Sequence, residues 1–327
     1  MSKKANVVIA VLAVALFAWA ISRMDASAVA RQRKAITSVL PIVLGLSVLR
    51  LFLQSLSWSL ALQGEGLSVP KARLAALRLG SQSVGYLTVL GPIASEPLKI
   101  KLLGASPERT IRATFLDNGV YWFTTALVAI CGVLCLPLIG LRPSRVHAIV
   151  ALAVLGAIVH IITRRRPILS PLLRALGARA PQWLVRAEKL EASIRTSRFA
   201  QPKLVSHMFW IDVACQMLTA MEVVVVLWTL HLPIHFLGVV AIEGVTRAAK
   251  MAGGWLPARL GADEGAAISA FAMAGFSPAL GLSLALSRRV RDLLWALIGI
   301  VWLTLSSRSM PEPHTSELPV LGLKEAY

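Results

Sequence analysis

Charge is scarce in this sequence. Only 15% of its 327 residues are Asp, Glu, Lys or Arg, whereas 56% are apolar and the mean hydropathy is +0.70. That balance excludes an ordinary water-soluble domain. A series of alternating ~10-residue segments is also missing, which excludes a membrane barrel and leaves the α-helix to satisfy the backbone in hydrocarbon. Cysteine is limited to Cys131, Cys135 and Cys215, too few and too apolar in setting for a disulfide framework; all three are expected to be small buried hydrophobes. Neither a phosphate-cradling glycine loop nor a Gly-x-Ser-x-Gly elbow occurs. Pro233 separates His231 from His235, and no third metal ligand is near. Acidic residues are the rarer charge, 16 against 34 Lys and Arg, for a net charge of +18. Without an RNA-binding aromatic motif, zinc-finger spacing or a helix-turn-helix pattern, that excess excludes nucleic acid as the partner. It points instead to cytoplasmic loops lying against anionic lipid.

What is present is a set of apolar runs of membrane-crossing length, about 20 residues at ~1.5 Å each. Hydropathy predicts spans near Ala5–Ile21, Val39–Leu62, Ala113–Ile139, Val146–Ile162, Leu204–Leu230 and Leu280–Leu305. The first follows Lys3 and Lys4 and precedes a signal-peptidase-like Ala26-Ser27-Ala28, and is read as a retained membrane helix. Two further apolar segments are punctuated by Gly and Pro: Leu79–Leu103 by Gly80, Gly85, Gly91, Pro92 and Pro97, and Phe236–Gly275 by Gly253, Gly254, Pro257, Gly261 and Gly265. Each is expected to be a broken or re-entrant helix pair. The fold class is therefore all-α: a polytopic integral membrane protein with roughly six full spans plus two broken pairs, arranged as a candidate inverted repeat. One transmembrane domain covers 1–307, and the acidic, proline-bearing tail 308–327 is expected to be disordered. The loop 163–203 is strongly basic and is placed on the cytoplasmic side. Within it, Trp183, Leu184, Ala187, Leu190 and Ile194 recur at helical spacing, as on a helix lying on the inner leaflet or on the protein's own face.

Two constellations carry the functional expectation. In the first break, Ser95 is a good N-cap and Pro97 suits a first turn, so a helix is expected to begin there, with Glu96 and Lys99 beside a positive dipole end. In the second, Glu243, Arg247 and Lys250 fall on one helical face. Breakers follow, then Arg259, Asp263 and Glu264, the two acids opening the next helix. Paired interruptions in the two halves of a chain are a pointer to a transporter site. A further stripe, Asp212, Gln216, Thr219 and Glu222, runs along one side of an apolar helix, and Arg50 and Asp117 are lone charges within spans.

The second break, Pro257-x2-Leu260-Gly261-x2-Glu264-Gly265 followed by Gly275 and Arg288, resembles the transmembrane region of lysylphosphatidylglycerol synthases. Trp58, Pro92, Glu96 and Asp117 fit the same resemblance, while Ser95, Lys99 and Asn118 depart from the family's usual Gly, Arg and Arg. The resemblance implies a flippase-like module of spanning and re-entrant helices, here without the aminoacyltransferase domain and hence without synthase activity. Read together, these features predict a multi-pass protein of the cell inner membrane, a lipid flippase or transporter rather than an enzyme, without cofactor or metal. Its substrate-binding residues are expected to be Ser95, Glu96, Lys99, Glu243, Arg247, Lys250, Arg259 and Glu264. Two glutamates at helix starts favour an amine-bearing or zwitterionic headgroup, and Glu96 and Glu264 are expected to face one shared cavity. The alternatives are a non-transporting lipid-binding or scaffold protein attached to an envelope-pathway enzyme, and a membrane-embedded lipid-modifying enzyme.

Overall fold

The computed structural model describes residues 33–88, 92–139, 202–252 and 261–306. The expected spans Ala5–Ile21 and Val146–Ile162, the basic loop up to Gln201, and the tail 308–327 lie outside them. The described residues form eight α-helices: α1 Arg33–Gly64, α2 Lys71–Leu87, α3 Pro92–Leu103, α4 Pro107–Cys135, α5 Pro202–Thr229, α6 Phe236–Ala252, α7 Ala262–Met273 and α8 Pro278–Ser306.

Residues Ile36–Gly64 of α1, together with α4 and α5, are long and apolar enough to cross a membrane. Helix α8 is as long as α4, but it carries Arg288, Arg289, Arg291 and Asp292 in mid-course. The expected span Ala113–Ile139 starts six residues earlier, at Pro107, a residue preorganised for a first turn. It ends before Pro137, where a short 3-10 turn takes over. Large apolar side chains face outward, among them Trp210 at 64% exposure and Phe236 at 75%, while Arg78, Asp117, Glu222 and Arg291 are buried. This inversion of the water-soluble pattern suits a body whose solvent is lipid. Cys131 also faces outward, contrary to expectation, and only Cys215 is buried among the three cysteines.

The eight helices are two runs of four. Helices α2 and α6 each have 17 residues, α3 and α7 each have 12, and α4 and α8 each have 29. The turns repeat as well. After α1, Leu67 N–H reaches the Leu62 carbonyl and Gly66 N–H the Gln63 carbonyl; after α5, Leu232 reaches Leu227 and His231 reaches Trp228. Both are Schellman ends, with Gly66 and His231 at positive φ. Gly104 after α3 and Gly275 after α7 likewise have positive φ, and proline opens both 29-residue helices. The packing follows the repeat: α1 lies on α5, α2 crosses α8, and α6 crosses α4.

Glycine permits the last two crossings. A Cβ on Gly244 would run into the backbone of Gly132 and the Val128 carbonyl, and one on Gly299 into Ser83 and the Leu79 carbonyl. Small residues let helices approach closely where no hydrophobic effect drives them together. Because backbone atoms cannot rotate away, Gly244→Ala should lower stability by about 1–3 kcal/mol, the usual range for overpacking. Thermal unfolding in detergent measures this; an unchanged midpoint would show that α4 and α6 separate without loss.

Candidate functional site

The interior polar residues are held in ion pairs that repeat between the halves. Arg78, eighth residue of α2, meets Asp117, eleventh of α4, at 3.1 Å. Glu243, eighth of α6, meets Arg288, eleventh of α8, at 2.9 Å. The two pairs occupy equivalent positions with the signs exchanged. Arg78 also donates to the Gln54 carbonyl at 2.6 Å.

The second pair belongs to a larger cluster centred on α5. The stripe Asp212, Gln216, Thr219 and Glu222 faces inward, each residue 2% exposed or less. Glu222 accepts from Arg288 Nε at 2.6 Å with one oxygen and from Arg291 with the other. Arg288 also donates to the Thr219 carbonyl at 2.9 Å. Arg247 pairs with Glu243 at 2.7 Å and donates to the Thr219 hydroxyl. Asp292 receives Arg291 at 2.9 Å, and Gln216 donates to Thr125 at 2.9 Å. A buried charge removed from water requires such partners, and here each guanidinium of the cluster has one.

Beside these pairs lies a cavity of about 300 Å³. Ser95, Glu96 and Lys99 of α3 face it from the first half, and Arg247 and Lys250 of α6 from the second. Arg50 and Gln54 of α1, Arg78 and Gln82 of α2, Asn118, Tyr121 and Thr125 of α4, and Arg291, Asp292 and Trp295 of α8 complete the polar wall. Lys99 donates to both Glu96 oxygens, at 2.9 and 3.1 Å, and its ammonium stands 5.2 Å from the centroid of the buried Trp58 ring.

Five of the expected site residues thus share one cavity, while the others differ. Ser95 is not an N-cap: α3 begins at Pro92, which is preorganised for a helix start, and Pro97 lies within the helix. Glu243 is 1% exposed and lies behind the wall, committed to Arg247 and Arg288. Glu264 is not in the cavity. As third residue of α7 it turns back to accept from the Gly261 N–H at 3.0 Å, and Arg289 pairs with it at 2.5 Å. An acid in that position satisfies its own helix end, which removes it from the shared site. Arg259 lies outside the described residues. Arg78 and Arg291, absent from the expected set, could have been found as cations in apolar segments that need an acid within reach.

No curated protein and no solved structure matches the chain. Residues 6–299 match the family described as the lysylphosphatidylglycerol synthase TM region, nearly the full length of the sequence. The chain belongs to that family of membrane domains.

Proposed function

We propose that this protein moves a polar lipid across the bacterial inner membrane, its headgroup passing through the cavity between the two halves while its acyl chains stay in lipid. The observation that carries this reading is the position of the cavity. A polar chamber bounded by helices of both halves sits inside a body whose outer surface is apolar. A headgroup entering it exchanges water for Gln82, Asn118, Tyr121 and the charged wall, so the cost of crossing hydrocarbon is reduced. The short helices α2, α3 and α6 supply part of this wall, and α1, α4 and α8 supply the rest.

The mechanism needs no bond to be made or broken. The Glu96–Lys99 pair has the acid facing the cavity and the lysine anchored on Trp58, so it adds polar surface to the wall without adding net charge. Arg247 is braced by Glu243 and Thr219, and the neighbouring Lys250 lies on the same wall. Partners in this reading are membrane lipids and an enzyme that makes or uses the transported lipid.

Purified chain in liposomes, with fluorescent headgroup lipids followed by an impermeant quencher, tests the proposal. Movement of chemically intact lipid supports transport. Bound lipid without movement identifies a binding or scaffold protein, and lipid of altered mass identifies an enzyme.

A further inference from the structure

Arg50 is a cation in the middle of α1 and faces the cavity. Every arginine of the ion-pair clusters is held by an acid: Arg78 by Asp117, Arg247 by Glu243, Arg288 by Glu222 and Glu243, Arg291 by Glu222 and Asp292. Among the described residues, no hydrogen bond or ion pair engages the Arg50 guanidinium. The charges that act on it most strongly are those of Arg291, Glu222 and Asp292. Glu222 has both oxygens on Arg288 and Arg291, and Asp292 already receives Arg291.

The repeat explains why this residue has no partner among the described residues. Arg50 stands fourteen residues before the end of α1, and Cys215 stands fourteen before the end of α5. The Cys215 thiol touches the Arg50 carbonyl at 4.0 Å, so the two helices meet at equivalent positions. One position carries a thiol and the other a guanidinium, so the charge is not balanced by the repeat as those of Arg78 and Glu243 are. A lone guanidinium in a membrane-length helix is costly unless an anion reaches it. The planar fork of five donors matches a phosphate oxyanion.

Resting on the transport reading above, we propose that Arg50 binds the phosphate of the lipid headgroup, so that the cavity selects lipids with a net negative phosphodiester headgroup. Glu96 and Glu264, the two glutamates at expected helix starts that favour an amine-bearing headgroup in the sequence, are paired with Lys99 and Arg289. Asn118, Tyr121 and Thr125 line the same cavity and supply neutral donors for the remaining phosphate oxygens.

The test is a binding titration of the full chain in neutral detergent, read by the fluorescence of Trp122 and Trp295, which line the cavity. Probes are dihexanoyl phosphatidylglycerol, dihexanoyl phosphatidylcholine, dihexanoylglycerol and free glycerol phosphate. Saturable binding of phosphatidylglycerol is expected, at least tenfold weaker in Arg50→Gln and partly restored in Arg50→Lys. The unfolding midpoint of Arg50→Gln without lipid should stay level or rise, because no acid loses its partner. Unchanged phosphatidylglycerol affinity in Arg50→Gln, or equal binding of phosphatidylcholine or dihexanoylglycerol, would overturn the assignment. Glycerol phosphate binding as tightly as the lipid would assign the site to a soluble phosphate and overturn the lipid source. If lipids fail to move in liposomes while this binding holds, the transport reading falls and the phosphate site stands; movement without Arg50-dependent binding gives the reverse.

Discussion

Glu222→Gln should cost about 3–5 kcal/mol of stability, the range expected when one partner of a buried ion pair is removed. That is a large share of the ~5–15 kcal/mol that holds a typical domain folded. Glu222 is 1% exposed and each of its oxygens receives a different arginine. An amide replaces one of those oxygens with a donor group, so a guanidinium N–H then faces an N–H. Arg288 retains Glu243, and Arg291 retains only its neighbour Asp292. The variant is expected to aggregate on extraction or to unfold at a much lower temperature in detergent, measured by size exclusion and a thermal melt. Adding Arg291→Met should recover part of the loss, since the unsatisfied cation is then gone. A melt for Glu222→Gln within a degree or two of the parent would show that the cluster is not a structural centre.

The second large effect concerns the exchanged ion pairs. Arg78→Glu alone and Asp117→Arg alone should each cost about 3–5 kcal/mol, because each sets two like charges against one another in a buried site. The double variant places the acid on α2 and the arginine on α4, the order that Glu243 and Arg288 already have on α6 and α8. It is expected to recover more than half of the combined loss. Recovery will be incomplete, since the Gln54 carbonyl loses the donor it has from Arg78. Detergent melts of the two single variants and the double variant make a thermodynamic cycle. A double variant as unstable as the two losses added together would mean that the two pairs are not equivalent elements of a repeat.

Much of this architecture is legible in the sequence, because lipid imposes simple requirements. The runs around Val39, Ala113 and Leu204 have the length and apolarity of spans, and the structure has α1, α4 and α5 there. The Gly and Pro clusters mark both short-helix pairs, and the stripe from Asp212 to Glu222 faces inward as its spacing implies. What escaped is pairing across distance. Glu264 reads as a site acid until Arg289, 25 residues away, is brought beside it by the α7–α8 turn. Ser95 reads as a helix start because serine caps well, but Pro92 three residues earlier is the stronger signal and takes that role. The equal lengths of α2 with α6 and α3 with α7 are hidden because the two halves put different side chains at the same helical positions, as Arg78 and Glu243 show.

Transport as proposed requires the headgroup to pass through the cavity, and blocking the cavity after folding tests this most directly. With Cys131, Cys135 and Cys215 replaced by Ala, a single cysteine at Asn118→Cys puts a thiol on the cavity wall. Fluorescent phosphatidylglycerol in liposomes should reach the outer quencher in the presence of the unlabelled variant. It should cease to do so once a bulky maleimide has reacted fully, with the melt unchanged. Undiminished lipid movement after complete labelling would contradict the account.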